Sequence, residues 1–304
     1  ISKIKIATLS TLLFFSLPVG AQAEINVVTT IRPLHSIVST IMQGVGTPKL
    51  LMRTTVSPHD FTLKPSNIRT LNQADIIFWI GPSLESRLAK SIRNAGPSVQ
   101  VVELMKSPKI KTLEIRGTDG AHDHNHGHNH DAADPHIWLN TQNAIAIASS
   151  VRSAMSKLDS TKAEIYSKNF NKFAARMTQI QANIRSKLKT VLKERFITYH
   201  DSVHYFEQEF GLDGHGAITP SSEHRPGAKR ISDLRKMIEA KKITCIFSQP
   251  YYNQKILHSI AKGSQTKIAS LDTIGHSIKP GSDLYENLVL KISNSIHDCL
   301  SPTN

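Results

Sequence analysis

Short apolar runs of strand length alternate with stretches of helical periodicity along almost the whole chain, and this alternation constrains the fold most strongly. Residues 25–30 include Ile25, Val27, Val28, Thr29 and Thr30, a β-branched run followed by helical spacing over 34–42. Residues 76–80 are a continuous apolar run closed by Gly81-Pro82, as in a strand covered on both faces. A helix around 84–92 and a strand at 99–102 follow. Further on, strands at 196–199, 216–219, 243–247 and 266–271 alternate with helices over 203–210, 228–240, 253–262 and 282–300. Such alternation builds βαβ units and a mainly parallel sheet.

Two segments depart from this pattern. Residues 107–135 are polar and rich in Gly and His, which predicts a long mobile loop. Residues 160–194 contain neither Gly nor Pro and place Ile165, Phe170, Phe173, Met177, Ile180 and Ile184 at helical steps. After a helix over 141–158, they predict one long helix with its start signal at Asp159-Ser160-Thr161. At 304 residues the chain exceeds what one hydrophobic core usually serves. The fold class is therefore α/β, with two α/β lobes of mainly parallel sheets joined by a long rigid linker helix. The boundaries are 24–158 for the first lobe with its loop, 159–194 for the linker helix and 195–304 for the second lobe. Ligands of open α/β sheets bind beyond the strand C-termini, which places the site in the interlobe cleft.

The chain's beginning bears on its compartment. Lys3 and Lys5 precede an apolar run over 6–18, and Ala21-Gln22-Ala23 offers a cleavage site, so residues 1–23 read as a signal peptide. The run is shorter than the roughly 20 residues of a membrane span. The formal net charge of +13 could suit a nucleic-acid surface, but the lysines and arginines are scattered without aromatic interleaving, and no nucleic-acid partner is expected. Two cysteines occur, Cys245 and Cys299. In an oxidising compartment such a pair most simply forms one disulfide, whereas a thiolate metal site would want further ligands at close spacing.

Four residues stand at strand ends or in the loops after them: His59, His136, His200 and Asp272. Two fall in each lobe, and three imidazoles with a carboxylate or water suit tetrahedral zinc. A lone histidine in such a place is more often a satisfied polar residue than a ligand, so the convergence rests on the predicted fold. Asp60 and Asp201, next to two of these histidines, are candidates to orient the rings. Residues 121–140, AHDHNHGHNHDAADPHIWLN, hold His136 and five alternating histidines, His122, His124, His126, His128 and His130. Positions two apart in an extended segment face the same side, so these five predict a secondary, weak metal site. The bland alternative is a solvated low-complexity loop.

With these residues in place, the sequence resembles the substrate-binding proteins of metal ABC importers, the cluster A-I (TroA-like) group, and within it the periplasmic zinc-binding components of high-affinity zinc uptake. The matching stretches are His59-Asp60-Phe61-Thr62-Leu63-Lys64-Pro65-Ser66, Asp134-Pro135-His136-Ile137-Trp138-Leu139, Thr198-Tyr199-His200-Asp201, Tyr205-Phe206-Glu207, Pro226-Gly227-Ala228 and Leu271-Asp272-Thr273-Ile274-Gly275. The resemblance covers essentially the whole chain. It implies that His59, His136 and His200 hold Zn2+, with His200 favouring zinc because manganese-type members usually carry a carboxylate there. Asp272 matches the fourth ligand of other members, a place water partly takes in zinc-type proteins. The family's His-rich loop would be residues 119–133, and Cys245–Cys299 its disulfide. Some zinc-type members carry Glu where this chain has Pro58, and Glu where it has Gln249, so the fourth ligand stays open. The implied protein is a periplasmic monomer that captures zinc for a membrane permease and is not an enzyme. A manganese or iron importer component is the runner-up. A zinc hydrolase is less favoured, because no H-E-x-x-H motif occurs.

Overall fold

A computed structural model describes residues 24–53, 56–116, 133–219 and 226–302. The expected signal peptide and the five alternating histidines lie outside the described residues.

Among the described residues the strands form two four-stranded sheets of the same topology, all parallel. β1 (Val27–Thr29), β2 (Lys49–Leu50), β3 (Ile76–Trp79) and β4 (Gln100–Glu103) are ordered β2-β1-β3-β4. β5 (Arg195–His200), β6 (Asp213–Thr219), β7 (Cys245–Ser248) and β8 (Lys267–Ser270) are ordered β6-β5-β7-β8. In each sheet the chain moves outward, then crosses back between the first and third strands, which is a topological switch point.

The helices are α1 (Arg32–Ile41), α2 (Pro65–Asn72), α3 (Ser86–Arg93), α4 (Thr141–Leu158), α5 (Ala163–Leu188), α6 (His204–Phe210), α7 (Ala228–Lys241), α8 (Gln254–Ala261) and α9 (Leu284–Leu300). The long helix is shorter than its predicted span. Residues 160–162 form a 3-10 turn, and beyond Leu188 the chain bends, with Val191 N–H donating to Leu188 O at 3.0 Å, to enter β5. α2 was not among the predicted elements. Its sequence buries Leu71 alone, so it lacks an apolar stripe, but Pro65 at its start presets a helical φ.

Packing joins the two halves. One core runs from Val28 and Ile77 of the first sheet, through Phe173, Met177, Ile180 and Ile184 of α5, to Phe196 and Phe247 of the second and Leu288 and Ile292 of α9. On the other face of the second sheet, Ile197, Ile218 and Ile246 pack with Leu234, Ile238, Leu257 and Ile260 of α7 and α8. Alternation along β5 explains the division, since neighbouring side chains project to opposite faces. Cys245 of β7 and Cys299 of α9 form the expected disulfide, with Cα atoms 6.1 Å apart. None of the described helices is long and apolar enough to cross a membrane.

Candidate metal centre

Two turns and one strand end, of unrelated sequence, deliver three imidazoles to one point. His59 sits in a 3-10 turn, Pro58–Asp60, whose preceding Ser57 accepts the His59 N–H through Oγ at 3.3 Å. His136 stands at the start of the turn Ile137–Leu139, after Pro135. His200 is the last residue of β5, beside the second switch point, paired in register with Thr219. Their ligand atoms lie within 4.8 Å of one another, and the ring centroids are 5.3–5.5 Å apart. His136 and His200 are buried and His59 is half-buried.

The surroundings fix both orientation and charge. Oδ1 of Asp134 accepts the His136 N–H at 2.9 Å and faces ring Nδ1 at 2.7 Å. Burial works against the Asp134 charge, but His136 outweighs it and holds the carboxylate below its usual range. An ionised acceptor keeps the proton on Nδ1 and leaves Nε2 as the donor atom toward the other rings. Burial, reinforced by the neighbouring His136, pushes His59 down to about 3 and His200 well below its ordinary value. Both are therefore neutral at physiological pH, the form a metal binds. Nε2 of His59 and both ring nitrogens of His200 are buried without a hydrogen-bond partner among the described residues. Buried polar atoms left in that state cost about 1–3 kcal/mol each, a cost that coordination of a cation removes.

The trio rests on the joint between the lobes. Trp138 lies 5.4 Å from the His136 ring, donates through Nε1 to Thr273 O at 2.9 Å, and accepts at its carbonyl from Tyr285 Oη at 2.6 Å. Asp272, the fourth expected ligand, stands outside the trio. Its Oδ1 accepts from the N–H groups of Ile274 and Gly275 at 3.2 and 2.8 Å, and its Oδ2 from the N–H and hydroxyl of Ser277 at 3.1 and 3.0 Å. Asp201, expected to orient a ring, is paired instead with Arg116. The carboxylate that orients the His136 ring is Asp134, two residues before it, and the Asp-Pro-His sequence is the signal for that contact. Chemically the trio is an all-nitrogen donor set, which suits zinc rather than cations that prefer carboxylate oxygen.

Comparison with known proteins bears on this reading. Residues 27–299 match the family model described as zinc-uptake complex component A, periplasmic. The chain is 35% identical over 306 residues to the high-affinity zinc uptake system protein ZnuA of Brucella suis biovar 1 (strain 1330), covering 91% of this chain and 92% of that protein. It is 30% identical over 293 residues to the Yersinia pestis protein of the same name, covering 91% and 92%. The solved periplasmic zinc binding protein TroA from Treponema pallidum superposes with a TM-score of 0.78 at 21% identity, covering 92% of this chain and all of that one.

Proposed function

Because the chain belongs to the family of periplasmic zinc-uptake complex component A, we propose that His59, His136 and His200 are the residues with which it captures zinc. The chain is a zinc-binding component of a high-affinity uptake system, a binding protein and not an enzyme. The carrying observation is the convergence of three imidazoles within 4.8 Å, with Nε2 of His59 and both ring nitrogens of His200 buried and without a hydrogen-bond partner among the described residues. In this reading water completes the coordination, and Asp272 shapes the loop that closes over it. The ion is cargo, handed as a single equivalent by a monomer to an ABC permease. Residues 1–23 direct export, 24–158 and 195–304 form the lobes that face each other across the site, and 159–194 link them. The five histidines 122–130 add weak binding apart from the trio.

Zinc titration calorimetry separates these sites. His136→Ala should weaken the tight site by more than the about 10- to 100-fold typical of an outer-shell change. Deleting residues 121–131 should leave one tight equivalent and remove only the weaker ones. Loss of the tight equivalent in the deletion would overturn the assignment.

A further inference from the structure

One short helix reaches across to the segment that carries His136. α6 begins four residues after His200. Its Tyr205 is buried, and Tyr205 Oη accepts the Leu113 N–H at 3.0 Å and donates to Asp134 O at 2.7 Å. One turn later, Glu209 accepts the Thr141 N–H at 2.7 Å and also the Thr141 hydroxyl. Residues four apart share a helix face, so one face of α6 holds both ends of the stretch 134–141 in which His136 stands.

The neighbouring strip, residues 113–116, is fixed to the same helix. Leu113 O accepts the Asp134 N–H at 2.7 Å, Glu114 bridges Ala133, and the Arg116 guanidinium pairs with Asp201 and with Glu207 of α6. Asp134 therefore rides on a strip that α6 itself grips. The peptide between Asp134 and Pro135 has no N–H, because proline lacks one. Its carbonyl is the only polar handle by which that peptide can be held, and Tyr205 Oη holds it. The same Asp134 directs Oδ1 at both the N–H and ring Nδ1 of His136. Rotation of the peptide would carry that carboxylate away from the ring.

We propose that Tyr205 is a positioning residue for metal capture. By fixing the Asp134 carbonyl it aims the Asp134 carboxylate, and so holds His136 in place relative to His200, the residue from whose strand end α6 springs. This rests on the reading of the trio as the zinc site. His136 and His200 come from segments that follow different sheets, and α6 is the element that binds the two segments together. Ligands ordered in advance raise affinity because their ordering is met on folding rather than on binding. Tyr205→Phe keeps the ring and its packing but leaves the Leu113 N–H and the Asp134 carbonyl without the partner they share, a state that buried polar groups resist by rearranging.

The test measures zinc affinity of the full chain by competition with a chromophoric chelator, for wild type, Tyr205→Phe, Asp134→Ala and the double variant. Tyr205→Phe should bind zinc at least about threefold more weakly, a smaller loss than the about 10- to 100-fold typical when an outer-shell partner itself is removed. In the Asp134→Ala background the same substitution should cost much less, because no carboxylate remains to be aimed. Such a double-mutant cycle isolates the coupling between the two residues. If Tyr205→Phe does not fold, Glu209→Gln, which weakens the other grip of α6, carries the test with the same expected pattern. A folded variant with wild-type affinity would overturn the proposal. So would equal losses with and without the Asp134 carboxylate, which mark a general effect on the fold. Asp134→Ala and His136→Ala variants that both keep wild-type affinity would instead sink the zinc site itself.

Discussion

At His136 a single carboxylate oxygen, Oδ1 of Asp134, accepts from both the backbone N–H and ring Nδ1. That fixes the ring's rotation and its tautomer together, so the contribution of Asp134 to zinc binding should exceed that of an ordinary buried hydrogen bond. Asp134→Ala should lower zinc affinity by about 10- to 100-fold, measured by competition with a chromophoric chelator. Asp134→Asn keeps an acceptor oxygen and should lose less. Wild-type affinity in the Ala variant would mean that Trp138 packing alone positions the ring. The three residues proposed as ligands stood out in the sequence because each lies where an α/β chain leaves a strand or crosses the cleft. Their support did not. Sequence adjacency pointed to Asp201, yet a residue next to a ligand at the end of a strand projects elsewhere, and Asp201 turns to Arg116. Arg116 itself carried no signal, because its partners stand 85 and 91 residues away.

α9 closes the chain by packing on α1 and α5, while Cys299 near its end ties it to Cys245 at the start of β7. The bridge spans 54 residues of sequence. Removing it with Cys245→Ala/Cys299→Ala should cost about 2–5 kcal/mol in urea unfolding of zinc-free protein. Zinc affinity should stay unchanged, since Cys245 begins β7 whereas His200 ends the neighbouring β5. A variant that unfolds normally but binds zinc poorly would contradict this separation of staple and site. At this scale most of the fold was readable, because covered parallel strands are continuous apolar runs and the covering helices carry stripes. The exceptions are physical. α2 has almost no stripe, and residues 189–194 carry no Gly or Pro to announce that α5 has ended. The reach of α9 onto α1 could not be read at all, since strand and helix periodicity say nothing of which distant face receives a helix.

One core running through both sheets, α5 and α9 makes the two lobes a single mechanical body. Hydrogen bonds cross the joint as well. Arg32 Nη1 donates to Gly275 O and Ile278 O at 3.4 and 3.3 Å, and Ser36 Oγ donates to Ser282 O at 2.8 Å. A wide hinge would have to break these contacts and expose the shared apolar layer, so closure on zinc should be small, and the lobes should unfold together. Tryptophan fluorescence reports only Trp79 and Trp138, both ahead of α4, whereas far-UV circular dichroism reports both sheets. In urea the two signals should trace one coincident transition; an earlier fluorescence transition would show lobes that melt independently. Acid acts on the same equilibrium with a definite sign. Burial pushes His35, His59 and His200 below the ordinary 6.5 in the folded protein, so the unfolded chain takes up protons that the folded chain refuses. Their stabilisation is therefore present above about pH 6.5 and is lost as pH falls toward the folded values. For zinc-free protein the loss should be up to about 2 kcal/mol per deeply shifted imidazole by pH 5. His59→Phe should flatten that dependence, and bound zinc should oppose it by occupying the same nitrogens. A zinc-free wild type equally stable at pH 7.5 and pH 5 would refute the neutral, ligand-ready state assigned to His59 and His200.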